Sequence, residues 1–443
     1  MQEDPGYDWS DKRRKLYIPV KAKFIIATVF ASTWFLFSLW ISEPWIESLS
    51  KEVGEPLGFL IILFVALIPG FLMSHLLFSI LLDRPPALDL DIDYPPVTIL
   101  MAAYNEADNI GHTFEAVRCL DYPGEIHIVV VDDGSTDDTL RVLGSLDLPG
   151  LEVIAAEHGG KAHALNIGLE KVSTSIFLTI DADTVLHPQA LKRLIARFVS
   201  DPCNTAAVAG SVISGNPGEC LITKMQEWDY YAAISSVKRQ QSLFQGALVA
   251  QGALSAYHTV LVRGERGWPS VVGEDIVLTW AFLKDGWRVG YETTAVGFTI
   301  TPQTLKGFYR QRKRWARGMI EGLKRHGDIV WERPHLPAFF VAVDFLFPFL
   351  DTFYTFAYIP GIILALFGKF YIVGPLTLLV LPLTFLVVGV MSYKEHKVMK
   401  LLGIEHKRSH LGLVFFMLFY QLIMSPTCVV GYVQEIFGAK KSW

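Results

Sequence analysis

Val97–Ser135 reads VTILMAAYNEADNIGHTFEAVRCLDYPGEIHIVVVDDGS, and two apolar runs of strand length stand inside it. Val97–Ala102 is continuous and apolar; Tyr104-Asn105-Glu106 follows, and helical spacing then runs to Leu120. Ile126–Val131 repeats the pattern and ends in Asp132-Asp133-Gly134-Ser135, before a Thr/Asp-rich helix start. Further along, Leu151–Ala155 and Ile176–Ile180 read as two more strands, with helical spacing over Lys161–Lys171 between them. Apolar strands alternating with helices predict a mainly parallel sheet, and such sheets place ligands at the carboxyl ends of their strands. Three polar clusters fall at those ends: Tyr104-Asn105-Glu106, Asp132-Asp133 and Asp181-Ala182-Asp183. No internal repeat or low-complexity segment interrupts the pattern.

Outside this stretch the chain turns apolar. Of 443 residues, 51% are hydrophobic, 13% aromatic and only 19% charged, with mean hydropathy +0.35. That composition is foreign to an ordinary soluble enzyme of this length. A net charge of -5 without a dominant basic stripe argues against a nucleic-acid partner. Cys119, Cys203, Cys220 and Cys428 are scattered, unlike a metal site or disulfide framework, which suits a reducing compartment for the soluble part.

A bilayer-crossing helix needs roughly 20 apolar residues. Ala22–Ile41 and Leu57–Leu82 meet that need, 83–333 is polar and alternating, and apolar runs return at Leu336–Phe367, Tyr371–Met391 and Leu411–Phe437. The first apolar segment follows a long charged tail and lacks a small-residue cleavage site, so it reads as an anchor rather than a cleaved signal. The expected layout is a cytoplasmic tail over 1–21, two membrane helices over 22–82, a catalytic domain over 95–332, about three membrane segments over 336–437, and a tail over 438–443.

Charge placement gives an orientation. Lys12, Arg13, Arg14, Lys15 and Lys21 precede the first helix, whereas Glu43, Glu47, Glu52 and Glu55 against one Lys51 lie between the first two. The positive-inside rule puts the N-terminus, and after two crossings the catalytic domain, in the cytoplasm. Lys394, Lys397, Lys400, Lys407 and Arg408 make 392–410 cytoplasmic as well. For the last segment two layouts stay open: Ser425-Pro426 suits a re-entrant hairpin that returns Lys440-Lys441 inside, and the apolar length suits one crossing.

Five constellations carry chemistry. Asp181 and Asp183, at i and i+2 of extended chain, face one pocket. Their repulsion is relieved by a hard divalent cation, which also neutralises charge on a leaving nucleoside diphosphate; alone, the triplet suits a capped turn equally well. Asp132-Asp133 fits either an N-cap or an acceptor of hydrogen bonds from a base or ribose. Gly159-Gly160-Lys161 opens a helix, where N–H groups and a lysine favour phosphate, or is a plain turn. Gly273-Glu274-Asp275 precedes the helix IVLTWAFLKDG, where an acid pair either answers the helix dipole or supplies a general base.

Gln311-Arg312-Lys313-Arg314-Trp315 lies on an amphipathic helix. Phe308, Trp315, Met319 and Leu323 fall near one face, and Arg310, Lys313, Arg314 and Arg317 spread around the other, as in a helix resting on lipid headgroups. Gln311, Arg314 and Trp315 stand at i, i+3 and i+4 and project together, an arginine to clamp a diphosphate and a tryptophan plane for a sugar ring. Leu221, Met225, Trp228 and Ala232 suggest a second interfacial helix.

Taken in order, Tyr104-Asn105-Glu106, Asp132-Asp133-Gly134-Ser135, Gly160-Lys161, Asp181-Ala182-Asp183, Gly273-Glu274-Asp275 and QRKRW at 311–315 resemble the processive membrane synthases of glycosyltransferase family 2. These include cellulose, hyaluronan, chitin-oligosaccharide and poly-β-1,6-N-acetylglucosamine synthases. The resemblance implies an α/β domain of GT-A type, inserted between α-helical transmembrane segments with amphipathic interface helices, that inverts the donor α-linkage to a β-linkage in one displacement. It implies that Asp133 contacts the nucleoside, with Tyr104 and Glu106 lining the pocket, and that Lys161 lies near the donor phosphates. Asp181 and Asp183 would hold donor and metal, Asp183 being the more direct ligand of Mg2+ or Mn2+. Asp275 would be the base, with Glu274 beside it, and Gln311, Arg314 and Trp315 would bind diphosphate and the acceptor end. The implied partners are a UDP-sugar, a growing glycan, the lipid bilayer and a small membrane accessory subunit of the kind poly-N-acetylglucosamine relatives use. One departure concerns the acceptor: after Gln251-Gly252-Ala253 the family often carries aromatic-Arg-Arg, and this chain has Tyr257-His258-Thr259.

The helix plan is most similar to the poly-N-acetylglucosamine and hyaluronan types, and the first is the favoured expectation: polymerisation coupled to export across the inner membrane. A hyaluronan, chitin-like or β-glucan product, or a single sugar transfer to a membrane lipid, uses the same motifs. A transporter reading rests on Asp344 and Asp351, acids in or beside an apolar run; no inverted repeat supports it. His75, the one polar intruder in its helix, reads as a packed or pore-facing residue.

Overall fold

The computed structural model describes residues 18–332, 335–374, 377, 380–405 and 408–439. Lys12, Arg13, Arg14, Lys15, Lys407, Lys440 and Lys441, on which part of the orientation argument rests, lie outside the described residues.

The four strands read from sequence form one half of an eight-stranded sheet. They are β1 (Val97–Ala103), β2 (Ile126–Asp132), β3 (Leu151–Ala155) and β4 (Ile176–Ile180), parallel in the order β3-β2-β1-β4. Both faces are covered, which is why these strands read as unbroken apolar runs. The helix Lys161–Lys171 packs Ala164, Leu165 and Leu169 with Leu100, Val129, Val131 and Phe177 on one face. Helices Ile110–Arg118 and Ala190–Ser200 close the other, where Phe114, Leu194 and Ile195 meet Ile99, Met101, Ile128 and Val130. Each such side chain contributes roughly 1.5–3 kcal/mol on burial.

Beyond β4 the expectation of a mainly parallel sheet gives way to a mixed one. Here lie β5 (Thr184–Leu186), β6 (Thr205–Ser214), β7 (Leu254–His258) and β8 (Arg288–Thr299). β7 runs antiparallel to both β4 and β6, β6 is parallel to β8, and β5 closes the edge antiparallel to β8. β6 reads TAAVAGSVIS, so rich in Ala, Gly and Ser that its strand propensity is weak; neighbouring strands, not local preference, make it extended. Tyr257 of the departing Tyr257-His258-Thr259 segment is 1% exposed and stacks on Phe177 with centroids 5.5 Å apart, so its ring belongs to the core.

Among the described residues, four helices are long and apolar enough to cross a membrane: Val20–Val53, Glu55–Leu82, Leu336–Leu366 and His410–Ile436. The last is continuous through Ser425-Pro426, so the hairpin alternative is not realised. Of the run Tyr371–Met391, residues 375–376 and 378–379 lie outside the described residues; its described helix begins at Val380, continues to Leu401 through Lys394, Glu395, Lys397 and Lys400, and is not among those four. It runs from the membrane helices, where Leu383, Val387 and Met391 pack on Leu77 and Ile80, to the catalytic domain, where Val398 and Met399 meet Trp228 and Tyr231.

The helix expected at Leu221–Ala232 exists as Leu221–Trp228 followed by a π-helical segment, Asp229–Ile234. Its apolar face is not left to lipid. Met225 packs with Phe308 and Tyr420, and Trp228 with Val398 and Leu413, all from other helices. A buried ion network fixes the joint between domain and membrane helices. Arg239 bonds Asp83 at 3.2 Å and Glu395 at 2.9 Å, and Lys394 approaches Asp83 at 3.6 Å. His75 is packed among Phe24, Phe71, Phe244 and Phe339, with Gln240 against its Nδ1 at 2.8 Å. Asp351 is 5% exposed and accepts hydrogen bonds from Ser425, Gln421 and Tyr432, which ties Leu336–Leu366 to the last helix. That satisfied docking contact accounts for Asp351, one of the two acids behind the transporter reading.

Candidate active site

Register brings the first two clusters together. Ala103 pairs with Asp132, so Tyr104 and Asp133 leave the sheet side by side, and Asp133 N donates to Ala103 O at 2.8 Å. The loop between is zipped shut. Asn105, at φ 54°, accepts from Thr136 N at 2.8 Å; its own N–H donates to Ser135 Oγ at 3.0 Å, and Glu106 N donates to Thr139 Oγ1 at 2.8 Å. Asparagine tolerates that left-handed backbone better than most residues. Tyr104 is left 42% exposed, its ring stacked on His158 at 4.3 Å, a flat surface at the strand ends.

Asp133 is used differently from the implied nucleoside contact. It is 2% exposed; Oδ1 accepts from Gly159 N at 2.8 Å, Oδ2 accepts from Gly160 N at 2.9 Å, and His158 Nδ1 lies 2.9 Å from Oδ2. The carboxylate therefore occupies the helix N-terminus where a phosphate was expected, and these two N–H groups are not open to a ligand. A carboxylate serves that positive helix end as well as a phosphate does, which is the physical reason for the correction. Its neighbour Asp132, also 2% exposed, accepts from Ser135 N and leaves Oδ1 without a partner among the described residues.

Lys161 at that same helix start reaches the third strand end and forms an ion pair with Asp181. Burial acts to lower the ammonium pKa, but Asp181, Glu274 and Asp275 outweigh it and hold the amine above its usual range. Gly252 keeps the pair in place by lacking a side chain: a Cβ there would stand 2.5 Å from Lys161 Nζ. Asp183 has no comparable cation. Its nearest donors are Thr184 and Thr299 at 3.4 and 3.5 Å, and burial, then Asp181 and Glu106, push its carboxyl up to about 7. Glu106 is likewise raised, first by burial, with Asp181 and Asp137 adding.

These acids fit a divalent cation in a particular way. Among the described residues no group of three or more His, Cys, Asp or Glu side chains could hold a metal ion. Mg2+ is usually held by one or two carboxylates together with substrate phosphates. Asp183, partly buried and weakly hydrogen-bonded beside Asp181, suits such a ligand.

The fourth wall is Gly273-Glu274-Asp275 at the start of the helix Glu274–Lys284. Glu274 is 6% exposed and pushed up to about 7, first by burial and then by Asp275, with Lys161 and Arg314 opposing. Asp275 Oδ1 accepts from Ile276 N at 2.8 Å, and Asp275 O accepts from Thr279 Oγ1 at 2.6 Å. Behind it lies Lys238, 9% exposed, its amine pushed down to about 7 by burial with Asp275 opposing, and donating to Val249 O at 3.1 Å.

The helix Leu305–His326, capped by Thr304 onto Gly307 N, crosses this wall so closely that a Cβ on Gly273 would stand 2.5 Å from Gly318 Cα. Gln311 stands near the phenol of Tyr230, which is pushed up to about 12 by burial, with Asp229 and Asp183 adding and Arg312 opposing. Arg314 is exposed and acts on Glu274; Trp315 is partly buried, its ring 6.2 Å from that of Tyr230. The expected basic outer face is corrected at Arg317. That side chain is 5% exposed and pairs with Glu435 of the last helix at 3.1 Å, because that helix covers the face on which Arg317 stands.

The structure thus links these groups through Lys161, which Asp181, Asp183, Glu274 and Asp275 all feel; Glu106 joins at Asp183, Arg314 at Glu274, and Gln311 at Tyr230. Asp133 joins the Tyr104 rim through His158, with its carboxylate held by Gly159 N and Gly160 N. Sequence reading missed His158, Asp229, Tyr230 and Lys238, and gave Arg312 no role of its own within QRKRW. Asp229 had a signal, a lone acid inside the aromatic stretch Trp228–Tyr231; the others had none.

Residues 98–263 match the sequence model described as Glycosyl transferase family 2. Over 247 residues the chain is 31% identical to a poly-β-1,6-N-acetyl-D-glucosamine synthase of Staphylococcus aureus strain MSSA476, covering 55% of this chain and 59% of that one. Over 236 residues it is 30% identical to the synthase of the same name from Staphylococcus epidermidis, covering 52% and 56%. The match therefore spans less than two thirds of these relatives' length. A mannosyltransferase from Pyrobaculum calidifontis, solved with GDP-Man and Mn2+, superposes with TM-score 0.54 at 18% identity, covering 95% of this chain and 100% of that one, a likeness of fold alone. A GT-A-like domain flanked by apolar helices thus carries, over 98–263, the match to glycosyltransferase family 2, and it is similar in sequence to poly-β-1,6-N-acetylglucosamine synthases.

Proposed function

We propose that the protein is an inverting glycosyltransferase of the inner membrane. It polymerises N-acetylglucosamine from UDP-N-acetylglucosamine into a β-linked polysaccharide, with the catalytic domain cytoplasmic and the product exported past its helices. The single observation that carries this reading is the meeting of Asp181, Asp183 and Lys161 with Glu274-Asp275 under the Leu305–His326 helix. The similarity to poly-N-acetylglucosamine synthases supports the choice of sugar.

In this reading the base of the UDP-sugar lies by the Tyr104–His158 surface and Glu106. The diphosphate lies between Asp183, Lys161 and Arg314, where the two cations hold its negative charge. A divalent ion held by Asp183 and Asp181 would add charge neutralisation on the departing diphosphate. Asp275 accepts the proton of an acceptor hydroxyl as that oxygen bonds to the anomeric carbon. The bond from the same carbon to the diphosphate breaks on the opposite side, and configuration inverts. Glu274, its carboxyl pushed up to about 7, is partly protonated near neutral pH and so lessens the negative charge beside the base. Trp315 presents a plane to the acceptor sugar.

The test is incubation of the purified protein with labelled nucleotide sugars. A ladder of long products from UDP-N-acetylglucosamine supports the reading; one chloroform-soluble product removes polymerisation in favour of transfer to lipid. Release of nucleotide from a different UDP-sugar alone would correct the substrate.

A further inference from the structure

Behind Trp315 the protein buries an ion pair that the chemistry above does not use. Arg312, on the Leu305–His326 helix, is 1% exposed, and Asp229, first residue of the π-helical segment, is 3% exposed. Arg312 Nη2 and Asp229 Oδ2 lie 2.7 Å apart. Four rings wall the guanidinium, at 4.1 Å for Trp315, 5.0 Å for Phe308, 5.8 Å for Tyr230 and 5.9 Å for Tyr420. Neither Arg312 Nε and Nη2 nor Asp229 Oδ2 makes a hydrogen bond of good geometry among the described residues, so the pair is an ion contact and the ring faces share the charge.

Stability alone does not account for such a pair, since apolar residues of the same volume commonly fill a buried site as well or better. What the pair does accomplish is registration. A π turn carries one extra residue and re-aims the side chains on it, and such turns are frequent at functional sites. Asp229 is seized by Arg312, and Tyr230 next to it is thereby held against Gln311 and within reach of Asp183. On the other side of the guanidinium, Trp315 lies closest of the four rings. One buried charge thus indexes two aromatic planes that meet at 58° beside the reacting groups.

We propose that the Asp229–Arg312 pair is a positioning device for the acceptor end of the site, fixing Trp315 and Tyr230 as the two walls of the slot that receives the sugar to be extended. This rests on the reading of Trp315 as an acceptor platform. Arg312 touches no substrate; it acts through Trp315.

The experiment measures three quantities in Arg312→Lys and Arg312→Met: UDP binding, apparent KM for an added chito-oligosaccharide acceptor, and product length. Both variants are expected to bind UDP as the parent does, to raise acceptor KM about tenfold or more, and to shorten the product. Added to Trp315→Ala, Arg312→Met is expected to cost nothing further, because the plane it sets is gone. An Arg312→Lys protein with parental acceptor KM and product length overturns the proposal, as do losses that multiply with those of Trp315→Ala. Should Arg312→Met fail to fold, the lysine variant, which keeps the charge, decides alone. A parent protein that forms no glycan from any nucleotide sugar sinks the functional reading and this inference with it; an active parent with indifferent variants sinks this inference only.

Discussion

At the scale of the residue, Asp275 and Glu274 are adjacent acids that their surroundings set apart. Asp275→Asn removes the proton acceptor without changing shape. It is expected to lower kcat by a factor of about 100 to 10,000 while UDP binding persists, checked by turnover and by isothermal titration with UDP; unimpaired turnover would remove Asp275 as the base. Glu274 gives a prediction with a sign. Its carboxyl is raised from 4.5 to about 7, chiefly by burial. The folded state therefore holds the proton more tightly than the unfolded state does. The stabilisation this brings is complete below about pH 4.5 and is lost as pH rises through about 7, by at most roughly 1.4 kcal/mol per pH unit. Glu274→Gln cannot titrate, so its melting temperature should fall less than the parent's between about pH 5 and about pH 8. Parallel curves for the two proteins would contradict that. The identities of these acids were legible in the sequence because each stood at a strand or helix end. Their division of labour was not, since it comes from burial and from Lys161 and Arg314, which arrive from distant segments. Asp133 is the clearest case: its place was readable, but its capture by Gly159 and Gly160 depends on how two loops meet.

At the scale of the element, the crossing of Glu274–Lys284 by Leu305–His326 decides how the base meets the acceptor side. The contact is backbone on backbone: a Cβ built on Gly318 would stand 2.8 Å from Gly273 Cα. Gly318→Ala must therefore push the two helices apart. The expected cost is about 1–3 kcal/mol of stability and about 10- to 100-fold in turnover, because Gln311, Arg314 and Trp315 travel with the displaced helix. Gly111→Ala is the control, since nothing lies within 4 Å of a Cβ there; it should be neutral or slightly stabilising. Thermal melting and turnover of the two proteins side by side separate a local clash from a general glycine effect. Equal turnover in both would show that the crossing does not position the site. The helical periodicity of 305–326 was visible from sequence, and so were its three projecting residues. Which partner covered each face was not. Arg317 has the spacing of a solvated arginine until Glu435 arrives from a helix more than a hundred residues away. The strand β6 was invisible for a related reason: its extended form is imposed by neighbours across the sheet, and an Ala-, Gly- and Ser-rich segment carries little preference of its own.

At the scale of the whole molecule, hydropathy located the apolar helices because length and composition are all that a bilayer demands. The charged helix ending at Leu401 escaped that logic, being half buried in membrane-facing helices and half in the catalytic domain. Orientation is the property on which the function depends, since nucleotide sugars are made in the cytosol and a catalytic domain facing outward has no donor. The protein carries its own reporters for it. Cys119 and Cys203 are free and exposed on the catalytic domain, whereas Cys428 is buried. Val20–Val53, at about 1.5 Å per residue, is longer than a bilayer core, so exposed Glu47 near its end projects beyond the far side. A membrane-impermeant maleimide applied to inside-out vesicles should therefore label the parent protein at Cys119 and Cys203, and right-side-out vesicles should leave both unmodified. A cysteine introduced as Glu47→Cys, in a protein with Cys119, Cys203 and the partly exposed Cys220 changed to Ser, should give the reverse pattern. Labelling of the native pair from the outer face would turn the domain over, remove the supply of UDP-sugar, and leave the clustered acids without the reaction assigned to them.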